Sequence, residues 1–244
     1  MAERLHVVLA RAGVASRRQA ERFIRDGRVS VNGKIVTKLG TKVLWGQDTI
    51  RVDGRIIRRL EPRLTIVLNK PKQVVTTSCD PRGRPTTADL VRTLKVRLFS
   101  VGRLDYHTEG LLILTTDGEL AHLLQHPRFG IPKTYRAKVK GLPTEQALGR
   151  LRSGVLLDGR ATAPAEVQKC ATTGKNAWLE ITIREGRNRQ VRRMCESVGH
   201  PVLKLKRIQY GPIRLGNLKP GEFQNLTANE VEKLRKYVNG EKAP

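Results

Sequence analysis

The chain has 244 residues, with 47 Lys+Arg against 22 Asp+Glu and a formal charge of +25. At 39% hydrophobic and 28% charged it can bury a core, and no apolar run approaches the ~18 residues that cross a bilayer. So large an excess of base favours phosphate backbones over an anionic membrane as the partner.

The start, MAERLHVV, lacks the layout of a signal peptide. Cys79, Cys170 and Cys195 are odd in number and far apart, which fits neither a disulfide framework nor a zinc knuckle. A reducing, cytoplasmic setting is expected.

In chain order, Leu5, Val8, Leu9 and Ala12 fall at helical spacing, and Gly13 stops the helix. Ser16, with Gln19 three residues on, opens a second helix expected to run to Gly27. Arg18, Arg22 and Arg25 share one face of it. Such a face contacts either water or phosphates. Val29-Ser30-Val31, Asn32-Gly33 and Lys34-Ile35-Val36 spell a hairpin, and short strands near Val43 and Ile50–Val52 complete a helix-helix-hairpin module. Residues 1–60 hold 14 Lys/Arg and 5 Asp/Glu, a denser charge than the rest. The polar stretch Arg58-Arg59-Leu60-Glu61-Pro62 is read as a linker, giving domains 1–60 and 61–240 and a disordered tail at 241–244.

In the second domain, 64–69 reads as a buried strand ended by Lys70-Pro71, Val74–Thr77 as a short strand, and Thr86–Leu94 as a helix. Phe99–Val101 leads into Gly102-Arg103-Leu104-Asp105, directly before the apolar run Leu111–Leu114, a strand buried on both faces. Asp117-Gly118 caps a helix whose Leu120, Leu123 and Leu124 point inward. Tyr135–Val139 and Trp178–Ile183 alternate as strands, 144–153 is helical, Asn188–Val198 a helix, Val202–Ile208 a strand, and Thr227–Val238 a terminal helix boxed by Glu230. Strands and helices mix without strict βα alternation, so the fold class is α+β with a mixed sheet.

Two clusters carry chemistry. Asp105 is one acid beside Arg103 in a strongly basic chain, which fits either a turn carboxylate or an acid working on a polyanion. The run 184–193, REGRNRQVRR, puts five arginines at the start of a helix, where cations oppose the helix dipole at ~0.3–1 kcal/mol each. A bound phosphate or carboxylate would offset that cost. His107 and Glu109 flank Asp105, but no repeated His spacing supports a metal site, and no GxxxxGK[ST] or GxGxxG motif supports a nucleotide cofactor.

Residues 3–53, through RLHVVLARAGVASRRQAERFIRDGRVSVNGK, resemble the alpha-L RNA-binding domain, which implies RNA contacts at Arg17, Arg18, Arg22 and Lys34. Asn69-Lys70-Pro71, GRLDYHTEGLLILTTDGELA (102–121), Lys133-Thr134-Tyr135 and REGRNRQVRRM (184–194) resemble, in order, the four motifs of pseudouridine synthases of the RsuA/RluB branch. The likeness is nearer to the RluB-like enzymes of large-subunit ribosomal RNA. Glu109 departs from it, standing where a small residue is common.

The resemblance implies a mixed, mainly antiparallel sheet flanked by helices and the isomerisation of a ribosomal uridine to pseudouridine without a cofactor. It implies that Asp105 is the nucleophile, or the base that starts glycal formation. Arg192 would be its ionic partner, Tyr135 the ring stacked on the flipped uracil, and Arg103 the residue that displaces the target base. Arg187 and Arg189 are further RNA-contact candidates, as is Lys70, which with Pro71 shapes the site. The expected partner is a stem-loop of ribosomal RNA, free or in an assembly intermediate, and the expected state a monomer. The rival reading is a non-catalytic RNA-binding ribosome-assembly factor on a synthase scaffold; an altered Asp105, Tyr135 or Arg192 would have favoured it.

Overall fold

A computed structural model describes residues 2–58 and 63–238. Most of the expected linker and the 241–244 tail lie outside the described residues. The chain divides into two compact units. One holds the residues up to Arg63 with Thr116–Gly118, and the other holds the remainder.

In the first unit β1 (Glu3–Arg4) leads into α1 (Leu5–Arg11), followed by α2 (Arg17–Arg25). The Ser16 hydroxyl accepts the Gln19 amide at 3.1 Å and so caps α2. β2 (Val29–Val31) and β3 (Lys34–Ile35) turn through Asn32 and Gly33, at φ of 51° and 81°. Two successive positive φ values are what a type I′ hairpin requires. β4 (Lys42–Val43) pairs with β1, while β5 (Ile50–Val52) and β6 (Arg55–Ile56) extend the hairpin to four strands in the order β3-β2-β5-β6. Leu5, Val8 and Leu9 meet Ala20, Ile24, Val29 and Ile50 in its core.

The second unit is built on one large sheet. Its elements in chain order are β7 (Thr65–Lys70), α3 (Thr87–Leu90), β8 (Phe99–Ser100), β9 (Glu109–Thr115), α4 (Gly118–Gln125), β10 (Lys133–Lys140) and α5 (Glu145–Ser153). The hairpin β11 (Leu156–Leu157) and β12 (Arg160–Ala161) follows, then β13 (Glu166–Thr173), β14 (Asn176–Ile183), α6 (Gln190–Ser197), β15 (Val202–Tyr210), β16 (Ile213–Arg214), β17 (Phe223–Asn225) and α7 (Ala228–Val238). The sheet order is β13-β14-β10-β15-β9-β7-β17, with β8 on β9 and β16 on β15. Only the β15–β9 contact is parallel, so the sheet is mixed and mainly antiparallel.

Period-2 alternation explains the two cores. Ile66, Leu68, Leu112 and Leu114 face one side with Ala137, Leu179 and Ile181, under α5 and α6. Val67, Leu111 and Ile113 face the other, under α4 and α7. The run Leu111–Leu114 is therefore apolar at every position because both of its faces are covered. Among the described residues no helix is long and apolar enough to cross a membrane.

Three expectations change. Val74–Thr77 is a loop with a single bridge, Val75 to Thr86. Its groups are pinned one by one instead of by a ladder: the Val74 carbonyl accepts from Lys70, and Thr76 Oγ1 bonds the Leu104 backbone. The Thr86–Leu94 helix splits into α3 and a 3₁₀ turn, Arg92–Leu94, ended by Lys95 at φ 51°. The helix expected from Asn188 starts at Gln190, because Arg189 takes a left-handed φ of 48°. By contrast, Thr227 and Glu230 form the expected reciprocal cap of α7.

The single parallel contact depends on one glycine. Gly110 pairs with Arg207 at φ 111°, and a Cβ there would lie 2.2 Å from the Arg207 carbonyl oxygen. Gly110→Ala is expected to destabilise the protein by at least ~3 kcal/mol in urea unfolding. A wild-type midpoint would mean that β9 and β15 part freely at this point.

Candidate active site

The loop before β9 is held from three sides. Leu104 is buried, and its amide and carbonyl both bond Thr76 Oγ1, at 3.2 and 2.8 Å. The Gln73 amide donates to the Tyr106 carbonyl at 2.8 Å, and the Thr108 amide closes a turn onto the Asp105 carbonyl at 2.9 Å. Gly102, at φ 73°, makes the bend. With its backbone fixed in this way, the half-buried Asp105 lines a cleft of about 670 Å³. That volume is within the range of small-ligand sites.

The cleft gathers several of the residues singled out in the sequence. Arg103, Asp105, Tyr135, Arg187 and Arg189 all line it. Tyr135 stands on β10 and is only 9% exposed. Arg103 and Arg189 are exposed cations, and among the described residues neither side chain has a hydrogen-bond or ion-pair partner. Arg187 is differently employed. Its guanidinium bonds Glu185 at 3.3 Å and the carbonyls of Arg160 and Ala161, tying the β11–β12 hairpin to the start of α6. Glu185 also accepts from Gln190 at 2.6 Å and the Ala163 amide at 3.1 Å.

Arg192 lies behind the cleft wall. It donates to the His107 carbonyl at 3.0 Å, Thr108 Oγ1 at 3.4 Å and the Val202 carbonyl at 3.3 Å. Its Nε is buried without a partner. Burial pushes its pKa down, Arg189 adds to that, and the Asp105 carboxylate opposes both by favouring the charged form. Arg192 therefore braces the segment that follows Asp105, and Asp105 stabilises its charge.

Lys70, at the end of β7, is fully buried, and its Nζ donates to the Pro71 and Val74 carbonyls, each at 2.8 Å. Burial lowers its pKa to about 8, against the pull of Asp105 and Glu109. Two further cations had no role assigned from the sequence: Lys133, present only as part of a motif, and Arg207, not singled out at all. Lys133 is pushed to about 8 by burial and then by Arg207. Arg207 is 2% exposed, donates through Nε to the Leu111 carbonyl at 2.8 Å and lies 5.2 Å from the Tyr210 ring. In the run Leu203-Lys204-Leu205-Lys206-Arg207, the alternation that turns Arg207 inward is the one signal that separated it from its lysine neighbours.

The depressed Lys70 has a consequence for stability. Between about 8 and its ordinary value of 10.5, the native lysine is neutral while the unfolded one still holds a proton. Stability then rises with pH, by up to ~1.4 kcal/mol per unit from this group. The penalty for burying the charge is fully present below pH 8. Wild type should therefore gain stability on Lys70→Met as pH rises from 7.5 to 10, as read by urea midpoints; parallel curves would contradict the burial.

Of the sequence-derived candidates in the first unit, Arg17, Arg18 and Arg22 are exposed on α2 and Lys34 is exposed on β3.

Two carboxylates, Asp105 and Glu185, line the cleft among several arginines and Lys133, and Glu185 is taken up by Arg187 and Gln190, which leaves Asp105 as the acid of a cleft fit for a polyanionic substrate. Comparison with known proteins supplies the family. Residues 64–197 match the model for RNA pseudouridylate synthase, and residues 3–50 match the S4 domain. The chain is 47% identical to the ribosomal large subunit pseudouridine synthase B of Bacillus subtilis (strain 168), over 96% of each chain. It is 45% identical to an uncharacterized RNA pseudouridine synthase of Aquifex aeolicus (strain VF5), over 98% of this chain and 96% of the other. A crystal structure of a pseudouridylate synthase superposes with a TM-score of 0.68 at 32% identity, covering 95% of this chain and 99% of that one. This chain belongs to the RNA pseudouridylate synthase family and carries an N-terminal S4 domain; it is an isomerase.

Proposed function

We propose that this protein converts a specific uridine of large-subunit ribosomal RNA to pseudouridine. The observation that carries the reading is Asp105, half-buried in a cationic cleft on a loop fixed by Thr76, Gln73 and Thr108. The name of the Bacillus subtilis relative supports the large subunit as the source of the RNA.

The reaction breaks the N1–C1′ bond, turns the uracil and joins C5 to C1′. The proton on C5 leaves and N1 takes one up, so atoms balance with no oxidant or cofactor. The target base leaves its stem-loop, at a cost of a few kcal/mol or less in a loop, helped by Arg103. Tyr135 stacks on the uracil. Asp105 acts as nucleophile or as the base that starts glycal formation, and Arg192 keeps it ionised and placed. Arg189 and the exposed Arg103 meet phosphates, while Lys70 and Arg187 hold the walls. Arg17, Arg18, Arg22 and Lys34 of the S4 domain take the flanking RNA backbone. The enzyme works in the cytoplasm as a monomer, on free RNA or an assembly intermediate.

The test is incubation of the purified protein with separate transcripts of large- and small-subunit ribosomal RNA, followed by pseudouridine mapping. One new site confined to the large-subunit transcript is expected. Product in the small-subunit transcript alone would overturn the substrate assignment.

A further inference from the structure

Among the described residues, one part of the large sheet, the α4 and α7 side of β14, β10 and the Lys204–Lys206 part of β15, has no helix packed on it. On the side of α4 and α7, the buried cluster takes Val67 from β7 and Leu111 and Ile113 from β9, but nothing from β10, β13 or β14. There the outward positions are Arg136, Lys138 and Lys140 on β10, Lys204 and Lys206 on β15, and Trp178 on β14. They alternate with the inward Ala137, Val139, Leu205 and Leu179. This is the reverse of the face that presents Tyr135.

The register makes these cations neighbours. Lys138 is directly opposite Lys204 on one side and Trp178 on the other, and Arg136 is opposite Lys206. Like charges facing each other across strands are destabilising. Glu180 lies opposite Arg136 and Glu109 opposite Lys206, which moderates that row. The row of Trp178, Lys138 and Lys204 contains no acid. Among the described residues none of the five cations forms an ion pair within 4.0 Å. Trp178 is half-buried in the strand surface, with the Arg136 guanidinium 5.4 Å from its ring.

A sheet face that offers one indole among unneutralised lysines matches single-stranded RNA, which supplies phosphates for the cations and a base face for the ring. We propose that this open face of β14, β10 and β15 binds a second segment of the RNA substrate, with a base stacked on Trp178 and the backbone on Lys138, Lys140 and Lys204. The proposal rests on the reading that RNA is the substrate. It adds a contact outside the cleft, where the target uridine does not reach.

The chain has two tryptophans, Trp45 and Trp178, so Trp45→Phe leaves Trp178 as the sole reporter. Titration of this full-length variant with a 20-nucleotide oligouridylate should quench its emission to saturation. Lys138→Gln/Lys204→Gln on the same background should weaken binding about tenfold. It should also flatten the slope of log K against log salt by ~1.4, two single-strand contacts at ~0.7 each. Both substitutions are conservative, with Lys204 exposed and Lys138 half-buried on the solvent side of the sheet, so circular dichroism should match the parent. Unquenched emission with unchanged affinity and salt slope would overturn the proposal, as would a protein partner that binds this face while RNA affinity stays unaltered. Pseudouridine yield on the ribosomal transcripts is scored in parallel: if wild type makes none, the synthase reading fails while the quenching result still decides the sheet face.

Discussion

Asp105→Asn is expected to lower pseudouridine formation by at least ~10⁴-fold while leaving the RNA bound. The substitution is isosteric, so the loop fixed by the Thr76–Leu104 bonds and the Thr108 turn should keep its shape. What disappears is the charge. A neutral amide is neither a nucleophile for a sugar or base carbon nor a proton acceptor for glycal formation. RNA affinity should stay within a few-fold of wild type or rise, because one negative charge is removed from a cleft that must meet phosphates. Single-turnover assays with a ribosomal transcript, beside filter binding at fixed salt, read both quantities. A rate within tenfold of wild type would remove Asp105 from the chemistry.

Arg192 should show a different pattern, because it acts through its neighbours. Its guanidinium spans from the His107 carbonyl and Thr108 hydroxyl, just past Asp105, to the Val202 carbonyl at the start of β15. Arg192→Gln removes both the brace and the positive potential at Asp105. The single-turnover rate is expected to fall ~10²-fold or more, the scale of a roughly 1 Å misplacement of a reacting group. RNA affinity should change little, since Arg192 does not line the cleft. Arg192→Lys keeps the charge but cannot reach three acceptors at once, so it should recover only part of the rate. Full recovery by lysine would assign Arg192 a purely electrostatic role. A matching fall in affinity would place it on the RNA.

Much of this was legible in the sequence, and for identifiable reasons. Asn32-Gly33 between alternating strands admits few conformations other than a type I′ turn. Leu111–Leu114 is apolar at every position, which only a strand covered on both faces requires. Thr227 and Glu230 encode a helix start locally.

Features that depend on tertiary partners were not legible. β13 has one buried residue, Val167, in eight, because it is an edge strand whose pairing with β14 rests on backbone bonds. Arg189 closes off α6 by a left-handed backbone that no flanking glycine announces. Arg187 looked like another phosphate contact in an arginine run, yet its bonds go to Glu185 and two carbonyls of a distant hairpin. The expected pair of Asp105 with Arg192 is not formed as a direct contact: among the described residues no hydrogen bond or ion pair joins them, and Arg192 instead bonds the His107 carbonyl and the Thr108 hydroxyl, two and three residues past the acid.

The role of Asp105 in modifying large-subunit RNA is tested most directly by pseudouridine mapping across ribosomal RNA from cells lacking this protein, complemented with wild type or with Asp105→Asn. One uridine in the large-subunit RNA should be unmodified in the deletion, restored by wild type and left unmodified by Asp105→Asn. Restoration by Asp105→Asn, or an identical map with and without the protein, would contradict that role.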